Sequence, residues 1–199
     1  MMLRNKIEEA EEKLLEADGR VADFFADHVS GGVGDLLHVF SKLADQPQLR
    51  TLCGAVIAAG TIAGSDRLVR AGARMMIAHE AATLAKGLLK DEFDRVRPRT
   101  ASTRRAAKVT KGGHAAKELS SFPSGHSAGA IAVARAYARE FPEHGPAAVA
   151  VATLVASLQV PRSAHYPSDV AAGLALGLAA EKLVDLAWNA GEMDRRSEG

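Results

Sequence analysis

The chain has 199 residues, and 25 Lys and Arg stand against 24 Asp and Glu for a formal net charge of +1. That length suits one domain or one domain with an appendage, and the even balance excludes a polycation built to hold nucleic acid. Hydrophobic residues make up 47% and charged residues 25%, which excludes a disordered chain and supplies a core.

Only 5% of the residues are aromatic, and Ala and Leu dominate the apolar set. Strands favour β-branched and aromatic residues, so the composition predicts an all-α protein packed through small side chains. The single cysteine, Cys53, excludes an internal disulfide framework and a multi-cysteine metal site. It lies in an apolar run and reads as a small core residue.

In chain order, Leu3, Ile7, Ala10, Leu14, Ala17, Val21 and Phe24 form a heptad stripe among charged residues. Residues 3–28 therefore read as an amphipathic helix. It would lie against its own chain, pair with a second copy as a homodimer, or rest on a membrane surface. The first 16 residues are charged throughout and hold no apolar secretory core.

Ser30 to Gly34 is a Gly-rich hinge. Six helical stretches follow, at 35–45, 50–63, 66–92, 124–140, 146–160 and 167–190. Proline at 47 is expected to break the first of them. The organisation is thus an N-terminal helix over 1–30, a bundle of about six core helices over 31–192 and a tail over 193–199. The longest stretches without a charged residue or His, 51–65 and 145–161, fall short of the ~20 apolar residues of a membrane span.

Arg95 to Lys117 is a loop with eight basic residues and no acid. It reads as a solvated loop, a phosphate-backbone patch, or the flank of an anion-binding site. It lacks interleaved aromatics, and no nucleic-acid partner is expected.

Three clusters carry chemistry. In the first, Lys90 sits near a helix end and Arg97 precedes Pro98, which biases it to an extended backbone. Two cations so placed can converge on one anion, although basic residues at a helix C-terminus also answer the dipole.

The second is Ser120-Ser121-Phe122-Pro123-Ser124-Gly125-His126. Pro123 suits a first helical turn, and the N–H groups of Ser124, Gly125 and His126 would form an oxyanion or phosphate cradle. His126 at its lip can move a proton near pH 7.

The third is Arg162 to Asp169. Asp169 can reach back over the helix start as in a capping box. A carboxylate on one ring nitrogen of His165 would leave the other as base or nucleophile. No metal-ligand spacing, glycosidase carboxylate pair or Gly-x-Ser-x-Gly elbow is present, and neither metal nor cofactor is expected. Cationic clamps with a nucleophile and an acid suit phosphoryl transfer.

These residues resemble the type 2 phosphatidic acid phosphatase family, whose motifs run Lys-x6-Arg-Pro, Pro-Ser-Gly-His and Ser-Arg-x5-His-x3-Asp. Lys90 to Pro98 and Pro123 to His126 match the first two, and His165 to Asp169 matches the second half of the third. The resemblance implies a metal-independent phosphatase of a phosphomonoester or pyrophosphate, on a lipid or isoprenoid carrier or on a small molecule. It implies that His165 forms a phosphohistidine, that Asp169 orients it and that His126 protonates the leaving oxygen. Lys90, Arg97, Ser124 and Gly125 would hold the phosphate.

Many members of that family are integral membrane enzymes, which implies a location in the cell (inner) membrane with transmembrane helices. Others are soluble, and a soluble cytoplasmic form is the alternative. Vanadium haloperoxidases share the site.

The family's Ser-Arg falls here on Leu158 and Gln159, so its arginine is missing. Arg162, one turn further on, is the candidate replacement. The alternative is a catalytically weakened membrane or scaffold protein of the same fold.

Overall fold

The computed structural model describes residues 2–29, 31–101, 108–112 and 117–197. Arg104 and Arg105 of the basic loop and Ser30 of the hinge lie outside the described residues. The expected all-α bundle is present. Its helices are α1 (Met2–His28), α2 (Gly32–Ser41), α3 (Gln46–Ile62), α4 (Asp66–Glu92), α5 (Gly125–Glu140), α6 (Gly145–Ser157) and α7 (Pro167–Ser197). Two short strands, β1 (Phe93–Asp94) and β2 (Thr110–Lys111), pair antiparallel across the basic loop, an element the sequence pattern does not signal.

Helix α5 is the centre, and every residue from Ser127 to Ala134 is buried. It carries Ala, Gly and Ser on all sides, as a helix surrounded by others must. Helices α4, α6 and α7 pack around it, and α3 packs on α4. The approach of α7 to α5 is close because Gly173 and Gly177 have no side chain. A Cβ on Gly173 would sit 2.4 Å from the Ser124 carbonyl oxygen, and one on Gly177 would sit 2.2 Å from that of Ala128.

The helix ends follow local chemistry. Gly64, at φ +63°, closes α3, with the Ser65 N–H donating to the Gly60 carbonyl at 2.8 Å in a Schellman arrangement. Ser65 then caps α4, its Oγ accepting from the Leu68 N–H at 3.4 Å. Pro47 does not interrupt a helix. It lies in the first turn of α3, where its missing N–H breaks no bond.

Helix α7 continues to Ser197, past the helix end expected at 190. Trp188 Nε1 donates to Glu192 Oε1 at 2.8 Å and ties two turns across Gly191.

Helix α1 lies on the body of its own chain, through a face its heptad stripe does not include. Its buried residues are Asp18, Gly19 and Ala22, with Ala22 against Tyr166. Ile7, Leu14 and Phe24 of the stripe stay exposed. Polar contact between Asp18 and the site, described below, outweighs the apolar stripe as the docking feature.

A charge in the middle of α4 is neutralised within the fold. Arg74 is buried between Glu140 at 3.0 Å and Asp185 at 3.1 Å, and its guanidinium lies 4.7 Å from the Trp188 ring centre. Among the described residues no helix is long and apolar enough to cross a membrane.

Candidate active site

The turn between α6 and α7 sets His165. The Gln159 carbonyl accepts from both the Ala164 N–H at 3.1 Å and the His165 N–H at 3.2 Å, which folds the turn back on the end of α6. Pro167 then opens α7, and Asp169 Oδ2 accepts from the Tyr166 N–H at 2.9 Å, the reach-back expected from the sequence. His165 Nδ1 lies 3.7 Å from Asp169 Oδ2 and has no hydrogen-bond partner. Catalytic hydrogen bonds are often loose before substrate binds. With Nδ1 turned to the carboxylate, Nε2 is the nitrogen left for a substrate.

Asp169 is fully buried and multiply held. Arg95 Nη1 donates to Oδ1 at 2.5 Å, and Ser121 Oγ donates to Oδ2 at 2.5 Å. Burial pushes its pKa up, but His165, Arg95 and Ser121 outweigh this and hold it at about 2. Burial lowers His165 to about 4 against the opposing pull of Asp169, so its imidazole is neutral at pH 7 and available as a nucleophile.

Arg95 also ties the site to α1. Its Nη2 donates to Asp18 Oδ2 at 2.7 Å, and the Ser168 N–H donates to Asp18 Oδ1 at 3.0 Å. Ser168 Oγ also donates to Asp18, and Arg95 lies 4.2 Å from the Tyr166 ring centre. The loop reading of Arg95 as a solvated charge is therefore overturned, because it is 2% exposed between two carboxylates.

In front of His165 is a pocket of about 280 Å³ lined by Ala44, Asp45, Gln46, Pro47, Lys86, Lys90, Arg97, Gly125, His126 and His165. Lys90 and Arg97 converge as the sequence suggested. Lys90 Nζ donates to the Ser120 carbonyl at 2.5 Å and to Ser120 Oγ at 2.9 Å. Arg97 donates to the same carbonyl at 3.2 Å and to the Ala164 carbonyl at 3.1 Å. Arg97 is extended before Pro98, at φ −70° and ψ 148°.

Burial, then the neighbouring Arg97 and Lys86 charges, lower Lys90 to about 8, with Asp169 opposing. Burial first and the neighbouring cations second also lower Arg97 and Lys86. Such crowded cations favour an anionic ligand.

His126 lies across the pocket, its ring centre 6.4 Å from that of His165. Its Nε2 is paired with Asp45 Oδ1. Burial lowers its pKa and Asp45 opposes the shift. Asp45 stands at the N-cap of α3 but makes no cap bond, because its carboxylate is used on His126.

The amide cradle is narrower than expected. Pro123 precedes the cap instead of filling the first turn, and Ser124 is the N-cap of α5, its Oγ accepting from the Ser127 N–H at 3.4 Å. The Ser124 N–H donates to the Asp169 carbonyl at 3.0 Å, which joins the two motifs but removes that donor from the cradle. The N–H groups of Gly125 and His126 remain, in a first turn where no intrahelical acceptor exists.

Arg162 is not in the pocket wall. Its Nη1 donates to Gln159 Oε1 at 3.1 Å and its Nη2 meets His38 Nδ1 of α2 at 2.6 Å. Its charge still acts on His126 and Arg97, lowering both. Gln159 is fully buried and its Nε2 has no partner.

Asp18, Asp45, Lys86, Arg95 and Ser121 complete the site beyond the residues given a role from sequence. Lys86 was within reach of sequence reasoning, since it lies four residues before Lys90 on the same helix face. A Cβ on Gly125 would meet Lys86 Cδ at 2.8 Å, so Gly125 also leaves room for that stem. Among the described residues no group of three or more His, Cys, Asp or Glu could hold a metal ion.

A buried histidine beside a carboxylate faces a second histidine and three cations in an all-helical bundle, an arrangement chemically suited to a phosphate. The chain belongs to the PAP2 superfamily, whose sequence profile matches residues 71–189. Two lipid A 1-phosphatases are similar over 65 residues, one from Rhizobium etli at 51% identity and one from Rhizobium johnstonii at 49%. Each match spans 33% of this chain and only 27% or 26% of the relative's length. A transmembrane PAP2-type phosphatidylglycerolphosphate phosphatase from Bacillus subtilis shares the fold, with a TM-score of 0.65 at 22% identity over 88% of this chain and 86% of its own.

Proposed function

We propose that this chain is a metal-independent phosphatase that hydrolyses a phosphomonoester or pyrophosphate of a lipid or isoprenoid carrier. The observation that carries the reading is the pocket itself. It places neutral His165 beside Asp169 and opposite His126, with Lys86, Lys90 and Arg97 in its wall.

The phosphate would sit on Lys86, Lys90, Arg97 and the Gly125 and His126 N–H groups. His165 Nε2 attacks phosphorus. A P–N bond forms as the P–O bond to the leaving group breaks, and His126 gives that oxygen its proton. Asp169 stabilises the cationic phosphohistidine. His126 then takes a proton from water, whose oxygen attacks phosphorus and releases inorganic phosphate and His165. Cations and amides facing the equatorial oxygens stabilise both transition states.

Lipid substrates are supported by the names of the relatives and by apolar side chains exposed on α2, α3 and α6, among them Val39, Phe40, Leu52 and Leu154. The same surfaces support a place at the cell membrane. The exposed stripe of α1 supports pairing of two copies.

Phosphate release in EDTA tests the reading. Lipid phosphate, isoprenoid pyrophosphate and aryl phosphate are compared, with His165→Ala as control. Release that survives EDTA and is lost in the variant is expected. No release from any substrate would refute it and favour a catalytically weakened protein of the same fold. Gln159, at the motif's arginine position, is the observation behind that second reading.

A further inference from the structure

A second cavity, of about 640 Å³, lies between α3, α5 and α6. Its walls are apolar, with Leu49 and Leu52 from α3, Val133 from α5 and Ala148, Val151 and Val155 from α6. That volume falls in the range of about 300–1,000 Å³ typical of small-molecule sites.

Ala44, in the turn between α2 and α3, lines both this cavity and the phosphate pocket. The next residue, Asp45, holds His126, the proton donor to the leaving oxygen. A leaving group departing past His126 therefore meets Ala44 and the apolar cavity. At the α5–α6 end, Tyr137 Oη and His144 Nδ1 lie 3.1 Å apart and present a polar stop. Leu43, Leu52 and Val151 leave one side open.

We propose that this cavity seats one hydrocarbon chain of the phosphate ester hydrolysed in the adjoining pocket. The inference rests on the phosphatase reading and adds where the chain of the substrate lies. The wall shared at Ala44 puts the cavity next to the phosphate pocket, which favours a chain attached to the bound phosphate over a second copy of the protein. The floor of small residues, Ala134 and Ala148, makes a slot as opposed to a flat face.

The test is hydrolysis of n-alkyl phosphates from ethyl to decyl, each below its micellar concentration. Burial of each methylene is expected to raise kcat/KM about fourfold until the chain reaches Tyr137 and His144. Val151→Asp, at a side chain 61% exposed and so compatible with folding, puts a carboxylate in the wall. It should flatten the dependence on chain length and leave ethyl phosphate unchanged. Ala148→Trp, which fills the slot, should do the same.

A flat dependence in the unaltered protein, or the same slope in both variants, overturns the proposal. So does a change of oligomeric state in Val151→Asp with the slope intact, which would assign the cavity to a second copy. If no ester is hydrolysed, the phosphatase reading fails, and the cavity is then judged by calorimetric titration with alkyl phosphonates. Affinity that rises with chain length, and no longer does so in Val151→Asp, supports the seat. Length-independent affinity overturns it.

Discussion

Arg95 is the most informative residue to remove. Its guanidinium is 2% exposed and lies between Asp18, also 2% exposed, and fully buried Asp169. Arg95→Met keeps apolar volume and strands two carboxylates. Breaking one buried ion pair costs about 3–5 kcal/mol, so the upper part of that range is expected here. That is a large share of the about 5–15 kcal/mol that keeps a domain folded.

The pH dependence has a definite sign. Asp169 is held at about 2 against an ordinary value of 3.8. A depressed carboxyl stabilises the fold above its unfolded pKa, here by about 2 kcal/mol, and that contribution is lost as pH falls from about 4 toward 2. Without Arg95 the Asp169 pKa rises, the contribution shrinks and acid unfolding begins at higher pH. Urea unfolding at pH 7 and pH 3 measures both effects. Adding Asp18→Asn should restore part of the loss, because one stranded carboxylate is then gone. A single variant that loses less than about 1 kcal/mol and keeps full activity would refute the argument.

Four further outcomes follow from the site. Lys90, at about 8, should give kcat/KM a falling alkaline limb near pH 8, and Lys90→Arg should move that limb upward. His126→Ala should slow an alkyl ester by about 10²–10⁴-fold but an aryl ester far less, because an aryl leaving group needs little protonation; equal losses would exclude the acid role. Arg162 acts on the pocket from behind its wall, so Arg162→Ala should cost less than tenfold in rate while Arg97→Ala costs about 10²–10³-fold, as kinetics on one ester would show. Inorganic phosphate at about 100 times its dissociation constant should raise stability by about 2.7 kcal/mol, measured by thermal unfolding, and an equal rise in Lys90→Met would place the anion elsewhere.

Much of the bundle was legible because its helices carry local signals. The helices expected at 66–92 and 124–140 fall within one residue of where the pattern put them. His165, Asp169, Lys90 and Arg97 were legible because each pair is close in sequence, and one helix start or one turn fixes its geometry. Asp45 and Asp18 were not. Asp45 reads as a helix cap, and only the tertiary fold redirects its carboxylate to His126 across 81 positions. Asp18 reads as one more acid on a charged helix face. Arg162 does not keep the helical spacing expected of it, because the chain leaves the helix after Ser157 and the side chain turns to Gln159 and His38.

The charge balance explains why α1, outside the matched family segment, reaches the site at all. Lys86, Lys90, Arg95 and Arg97 face Asp18, Asp45 and Asp169 in and behind one pocket, with His165 neutral. The cations exceed the anions by one, and burial first, with neighbouring cations second, lowers Lys90, Lys86 and Arg97. A phosphate bound in front, as proposed, would offset that excess. Behind Asp169 the chain itself provides a second carboxylate on buried Arg95. Asp18 supplies it, and by also binding Ser168 it fixes the first turn of α7, the turn that aims Asp169 at His165. An all-helical fold reaches this arrangement by docking a polar residue of an otherwise exposed helix, which is why α1 lies on the bundle through Asp18 and leaves its apolar stripe free.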